Sequence, residues 1–450
     1  MGKRTPPRNV RLSRGIFPCL LFLAGIVSAG NRPADFLITL RAQYRSERDV
    51  DELFETHRLH PIHALPEHGF TAVRMSPLDD RESLRRRLLD DHRVRTVEPD
   101  SRVSVTAWPS DTLFQRQWAL HDPRQRADIR ALEAWGLHRG SNRIIVAIID
   151  TGIDRLHPDL IENLWINEDE IAGNRLDDDH NGFVDDRFGW DFAYDTPRPW
   201  GPDAHGTLMA GVIGAQVDNR TGIAGIMHRV SMMALKGLGD TGSGFTSDLI
   251  ACVYYAVDNG ASVINASWGG GGAVTAMREA IRYAAEKNVM FVAAAGNWGR
   301  NNDVRPFYPA SYPEDNIVSV GASDRFDKPT DWSHFGPESV DLFAPGHEIL
   351  STMLDGRYLS ASGTSMAAPH VAACLGLLYA FTPGLSYRHY RELLFSAVRP
   401  VPAMQGRCVT GGCLDLHETL RRSMPRQARR RVLSSYMHRI KEQSLQRSGE

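Results

Sequence analysis

The chain has 450 residues, of which 42% are hydrophobic, 24% charged and 25 are proline. That excludes the disordered, collagen-like and multi-span membrane classes and leaves a folded globular protein long enough for a large core. A formal net charge of -2 and an isoelectric point near 6.8 give no overall pull toward nucleic acid, so no nucleic-acid partner is expected and function must be sought in local sites.

Arg4, Arg8, Arg11 and Arg14 precede an apolar run over 16–27, and Val27-Ser28-Ala29 supplies small residues at a cleavage position. This is the pattern of a secretory signal peptide over 1–29, cut after Ala29. The run is shorter than the roughly 20 residues of a spanning helix, and no later stretch reads as a membrane span, so the mature chain is expected outside the cytosol or in a secretory lumen. Cysteine usage adds little. Cys19 leaves with the signal, Cys252 and Cys374 read as buried thiols in apolar helices, and Cys408 and Cys413 flank a Val-Thr-Gly-Gly turn that permits a small disulfide without establishing one.

Residues 35–40 read as a strand, and Ser46 with Asp49 caps a helical pattern through Val50, Leu53, Phe54 and Leu59. A strand over 70–75, an Arg-rich amphipathic helix over 79–94 and extended chain over 95–105 complete a small βαβ-βα-β, ferredoxin-like α+β unit. From Asp111 the pattern changes. Continuous apolar strands at 144–149, 230–235, 262–266, 289–294 and 317–322 alternate with helical patterns, which predicts a doubly wound α/β fold with a mostly parallel sheet and helices on both faces. Beyond Leu420 the chain turns basic, and 423–450 reads as a solvated tail.

Four polar residues stand where such a fold presents chemistry. Asp150 ends the first long strand, at the carboxyl edge where open α/β sheets bind ligands. His205 lies in Asp-Ala-His-Gly-Thr, ahead of a helix rich in small residues. Ser365 lies in Ser-Gly-Thr-Ser-Met-Ala-Ala-Pro-His at a helix N-terminus, where free amides favour a developing negative charge. Asn297 ends a strand as Ala-Ala-Ala-Gly-Asn. Taken singly, these are a cap, an ordinary histidine, an N-cap and a turn. Together they form a constellation for acyl transfer. A second pattern is acidic: Asp177, Asp178, Asp179, Asp185 and Asp186 crowd one loop with Asn181 and Gly182, and its Asp-x-Asp-x-Asn-Gly string over 177–182 matches the first half of a calcium loop, with Phe188 where an EF-hand carries its bidentate Glu. A shorter calcium loop is predicted, with ligands at Asp177, Asp179, Asn181, Phe183 and Asp185.

The strings around Asp150, His205, Asn297 and Ser365, in that order, resemble the subtilisin family of serine peptidases. The resemblance runs over 111–420 and includes His157-Pro158-Asp159-Leu160, Gly222-Ile223-Ala224-Gly225, Asn265-Ala266-Ser267-Trp268-Gly269 and Ala344-Pro345-Gly346. Leu208, where the family commonly has His, and Lys236-Gly237-Leu238 depart from it.

The resemblance implies a secreted serine endopeptidase acting on extended polypeptides. Ser365 is the implied nucleophile, His205 the base, Asp150 its orienting carboxylate and Asn297 an oxyanion donor. Ser267, Trp268 and Gly269 with Ala294, Ala295 and Gly296 are the implied pocket walls, with Trp298 and Thr246 at the rim. It implies a further calcium site at Asp111, Asp159, Val217, Asn219, Thr221 and Ile223. Residues 30–105 resemble the family's inhibitory propeptides, with Val97-Glu98-Pro99-Asp100 matching their late strand. The implied organisation is a zymogen cut between Ser101 and Asp111, a peptidase domain over 106–422 and a monomeric mature enzyme. A silent binding protein on this fold would have lost one of the four residues, and an adhesion module would leave three of them without purpose.

Overall fold

The computed structural model describes residues 35–76, 79–100 and 108–424. The signal-peptide reading, the basic tail beyond 424 and most of the predicted processing segment lie outside the described residues. The chain divides between Val105 and Thr106 into two compact units.

The first unit runs β1 (Phe36–Leu40), α1 (Glu47–His57), β2 (His60–Leu65), β3 (Phe70–Arg74), α2 (Arg81–Asp90) and β4 (Val94–Pro99), with sheet order β2-β3-β1-β4. Ser46 and Asp49 form a reciprocal capping box at the start of α1. Phe36, Ile38 and Leu40 alternate inward from β1 to meet Val50 and Leu53 of α1 and Leu84 and Leu88 of α2. The sequence reading did not resolve β2 as a strand. It is an edge strand with Pro61 and no buried residue, so it carries no period-2 signal.

In the second unit a nine-stranded sheet follows α3 (Ala131–Trp135). Its strands are β5 (Gly140–Asp150), β6 (Gly189–Asp191), β7 (Arg229–Lys236), β8 (Val263–Ala266), β9 (Met290–Ala294), β10 (Ile317–Ser323), β11 (Leu342–Pro345) and, after the antiparallel hairpin β12 (Ile349–Met353) and β13 (Arg357–Ala361), β14 (Arg399–Pro400) and β15 (Gly412–Cys413). Their order is β14-β15-β11-β10-β9-β8-β5-β7-β6, with only β14–β15 antiparallel. Helices α4 (His205–Gly214), α5 (Thr246–Asp258), α6 (Thr275–Glu286), α7 (Thr364–Phe381), α8 (Tyr387–Ala397) and α9 (Leu416–Ser423) complete it.

Strand alternation sorts the core into two layers. Val146 and Ile148 of β5, Met232 and Ala234 of β7, and Met290 and Val292 of β9 pack with α4 and α7. Their neighbours Ala147, Ile149, Met233, Leu235, Phe291 and Ala293 pack with α5 and α6. Both faces are therefore apolar, which is why each strand reads as a continuous run rather than as an alternation.

One expectation needs correction, and one alternative left open by the sequence is decided. Thr364–Phe381 is long and apolar enough, by length and composition alone, to cross a bilayer, contrary to the reading that no later stretch is; 83% of it is buried inside the protein, where it is the central core helix. Cys408 and Cys413 are separate buried thiols. Cys413 Sγ faces Ser323 Oγ at 3.5 Å, while Cys408 Sγ turns toward the carbonyls of Met404 and Gly412.

Candidate active site

The strand order reverses beside β5, whose neighbours β7 and β8 lie on opposite sides, and Asp150 is its last residue. Asp150 is completely buried. Its Oδ1 accepts from the Thr151 amide at 2.7 Å and faces His205 Nδ1 at 2.7 Å. The imidazole can come this close because the next residue is glycine: a Cβ on Gly206 would stand 2.2 Å from the Gly152 carbonyl oxygen and 3.1 Å from the Asp150 Cβ. Asp203 Oδ1 accepts the His205 amide and Thr151 Oγ1 the Gly206 amide, satisfying the first donors of α4. Burial opposes charging of His205, but the Asp150 charge, its hydrogen bond and Asp203 outweigh it and raise the pKa above 6.5. With Nδ1 turned to the carboxylate, Nε2 is the atom left to accept a proton.

Ser365 is the second residue of α7, and Pro369 follows within the helix. Pro369 lies one turn beyond the unpaired amides at the start of the helix. Lacking an N–H, it cannot serve the Ser365 carbonyl four residues back. Ser267 Oγ donates to that carbonyl instead, at 2.9 Å, and itself accepts from Asn265 Nδ2 at 2.9 Å. The nucleophile candidate is thus tied to the strand end that carries one pocket wall.

Asn297 is oriented from the same helix end. The Thr364 amide and Thr364 Oγ1 both donate to its Oδ1, at 2.8 and 2.9 Å, leaving Nδ2 for the cleft. Ser365 Oγ, Asn297 Nδ2 and the Ser365 amide nitrogen lie 2.9, 3.5 and 3.6 Å from the point where a Cβ on Gly363 would stand. An alcohol and two N–H donors therefore flank one small volume, the arrangement that stabilises an oxyanion. Among the described residues no hydrogen bond joins His205 to Ser365; the two line one cavity of about 280 Å³.

Thr151, Asp203, Ser267, Trp268, Gly269, Ala294, Gly296 and Asn297 line that cavity with them, as do Leu238, Gly242, Trp298, Phe307 and Thr364. Trp268 Nε1 anchors its wall to the Ile149 carbonyl at 2.8 Å. Ala295, expected in the wall, is turned away: its side chain packs with Val340 and Phe343 behind the site, as alternation along the chain requires. Thr246 borders a neighbouring cavity of about 360 Å³ instead. Phe307 was not anticipated, because nothing in its local string marks it.

The acidic loop is organised differently from its sequence pattern. Glu170, Asp177 and Asp179 bring carboxylate oxygens within 4.8 Å of one another. Glu170 is 1% exposed. Its Oε1 accepts the amides of Asp178 and Asp179, while Oε2 is buried without a partner. Burial, then repulsion from Asp186 and Asp178, raises its pKa. Asn181 lies beside the group, its Nδ2 donating to Asp179 and Asp186. Asp185 is absent from it, since its oxygens accept the amides of Gly173, Asn174 and Arg175. The Phe183 ring joins Trp190, Phe192 and Tyr255. A convergent, partly buried oxygen set with one orphaned oxygen fits a hard divalent cation.

The other expected cation site also converges. Asp111 is buried, its Oδ2 accepting the Asp218 amide and its Oδ1 left without a partner. Burial, reinforced by Asp159, pushes its carboxyl up to about 6. Asp159 accepts from Asn219 Nδ2, the Ile223 amide and Tyr358 Oη, and burial raises it too. Asn219, expected as an oxygen ligand, spends Oδ1 on the Thr221 amide and donates with Nδ2, because a buried carboxylate draws each N–H in reach. Val217 packs at the edge of the core beside this loop.

Residues 141–417 match the Subtilase family. The chain is 35% identical over 328 residues to a thermophilic serine proteinase of a Bacillus species, covering 70% of this chain and 73% of that one. It is 38% identical over 270 residues to thermitase of Thermoactinomyces vulgaris, covering 60% and 85%. An extracellular protease of Xanthomonas campestris pv. campestris is 34% identical over 360 residues, covering 74% and 60%. Among solved structures, a protease of Pseudoalteromonas arctica superposes with a TM-score of 0.59 at 27% identity, covering 71% of this chain and all of that one.

Proposed function

The chain belongs to the subtilase family and is a serine endopeptidase, and from that premise we propose that it cleaves peptide bonds with Ser365, His205 and Asp150 as a catalytic triad. The observation that carries this reading is the 2.7 Å contact between His205 Nδ1 and Asp150 Oδ1, in a cavity that also holds Ser365 and Asn297.

The chain's own residues define each step. Ser365 Oγ attacks the scissile carbonyl as His205 Nε2 takes its proton, and Asp150 stabilises the imidazolium. Asn297 Nδ2 and the Ser365 amide receive the oxyanion. His205 returns the proton to the leaving amine, giving an acyl-enzyme on Ser365, and then activates the water that hydrolyses it. An extended substrate pairs along Ser267–Gly269 and the Ala294–Gly296 backbone as an added strand.

In the same reading residues 1–29 export the chain, and residues 30–105 act as its inhibitor until cut between Ser101 and Asp111; the extracellular relative supports secretion. Calcium would be held by Glu170, Asp177 and Asp179 in one loop and by Asp111 and Asp159, which come from separate segments of the chain, supplying positive charge that binds these segments together. The mature enzyme is a monomer. A fluorophosphonate probe tests the central claim: the matured protein should be labelled on Ser365 and Ser365→Ala should not. Absence of label on correctly matured protein overturns it, and the mass of the mature N-terminus tests the processing site.

A further inference from the structure

Two short backbone walls face each other across the candidate cleft, Ser267–Gly269 and Ala294–Gly296, and each has a glycine against which an aromatic ring lies. On the first wall, a Cβ at Gly269 would stand 2.4 and 2.7 Å from two ring carbons of Phe307, so the phenyl ring rests on the bare α-carbon. On the second, a Cβ at Gly296 would stand 2.5 Å from His334 Nδ1, so the imidazole rests there in the same way. The two rings then meet, with centroids 5.3 Å apart at 73°. Trp298, 61% exposed, caps both at 5.7 and 5.6 Å.

The imidazole is held in place. His334 is 1% exposed, its amide donates to the Gly296 carbonyl at 2.8 Å, and Nδ1 pairs with Asn302 Oδ1 at 2.8 Å. Asn302 Nδ2 in turn donates to the Ala295 carbonyl at 3.0 Å. A chain of hydrogen bonds thus binds the ring to the backbone of the second wall, and the Phe307 ring is trapped between that ring and the first wall. Phe307 also lines the cavity shared by His205, Asn297 and Ser365.

We propose that Phe307 is the specificity-determining residue for the substrate position that donates the scissile carbonyl, because its ring, backed by His334, occupies the space between the two walls. The site accepts glycine, alanine or serine there and excludes leucine, phenylalanine and other long side chains. This rests on the peptidase reading above, with Ser365 as nucleophile.

The test uses matured enzyme, counted by fluorophosphonate titration, and fluorogenic peptides that differ only at that position, with Ala, Leu or Phe. Wild type should favour Ala over Phe in kcat/KM by about 10-fold or more. Phe307→Ala should raise the Phe peptide's value and reverse the order. Titration confines the comparison to folded, active molecules; if Phe307→Ala matures poorly, Phe307→Val is read the same way. A wild type that titrates fully yet cleaves the Phe peptide as well as the Ala peptide overturns the specificity claim and leaves the peptidase reading standing. So does an unchanged ratio in the variants. A wild type with no titratable serine overturns both.

Discussion

Two regions of the molecule each hold a buried carboxylate with an oxygen that has no hydrogen-bond partner, and they differ in what answers the charge. Asp150, in the cleft, faces an imidazole 2.7 Å away that the chain itself supplies, and in the proposed mechanism the two form a proton-handling pair. Glu170, in the acidic loop, sits with Asp177 and Asp179, and among the described residues no ion pair reaches any of the three; Arg187 donates to the carbonyls of Asn167 and Glu170 instead. Repulsion in such a group is relieved by a proton or by a cation from solution. One region therefore answers its buried charge from within the chain, while the other offers a convergent oxygen set that a cation would complete.

The sharpest way to break that contrast is to remove the cleft's own partners. His205→Ala or Ser365→Ala should lower turnover by about 10⁶-fold, measured on a peptide substrate, with thermal melting little changed; retention of more than a hundredth of the activity would end the triad reading. Asn297→Ala should lower kcat by about 10²- to 10³-fold and leave KM nearly constant, since its amide serves the oxyanion rather than the bound ground state. Acidification should also act through the cleft. His205 accepts a proton only when neutral, and Asp150 raises its pKa above 6.5, so kcat/KM should start to fall while the pH is still above 6.5. Asp150→Asn removes the charge that raises the pKa and should move the midpoint of the residual activity to lower pH.

The acidic loop sharpens the comparison from the other side. Calcium at about a hundred times its dissociation constant should add roughly 2.7 kcal/mol to stability, read as a higher melting temperature that chelation reverses. Glu170→Gln keeps an Oε1 acceptor for the Asp178 and Asp179 amides but removes a charge. It should weaken the calcium-dependent gain while leaving the chelated protein as stable as wild type or more so. Equal losses with and without calcium would mean that Glu170 serves only as a backbone acceptor.

How much of this was legible follows the range of the contacts. The parallel sheet was readable because β5, β7, β8, β9 and β10 are buried on both faces and are written as apolar runs. The hairpin β12–β13 and the two-residue strands β14 and β15 carry no such run; they exist because hydrogen-bonding neighbours stand beside them. Asp177 and Asp179 were visible as a contiguous motif, whereas Glu170 stands outside the string and enters by chain folding. Asp185 fits the motif by spacing but is captured by the amides of 173–175. Ala295 shows the same limit at the smallest scale, since a one-residue step turns a side chain from cleft to core. Phe307 acts through Gly269 and His334, and pairings between distant segments leave no mark in either local pattern.

The smallest expected effect concerns the join between the nucleophile and its wall. Ser267→Ala deprives the Ser365 carbonyl of its donor, and Pro369, lacking an N–H, cannot replace it. A buried carbonyl left unpaired costs about 1–3 kcal/mol, which for a domain of this size lowers the melting temperature by about 2–4 °C per kcal/mol. Activity per titrated site should fall as well, because α7 loses its tether beside Ser365. Adding Pro369→Ala supplies a helical N–H four residues beyond Ser365 and should recover part of both losses, although Pro369→Ala alone gains little while Ser267 already serves the carbonyl. If the double variant melts no higher than Ser267→Ala, the hydroxyl acts through Asn265 and the wall, and the helix never depended on it.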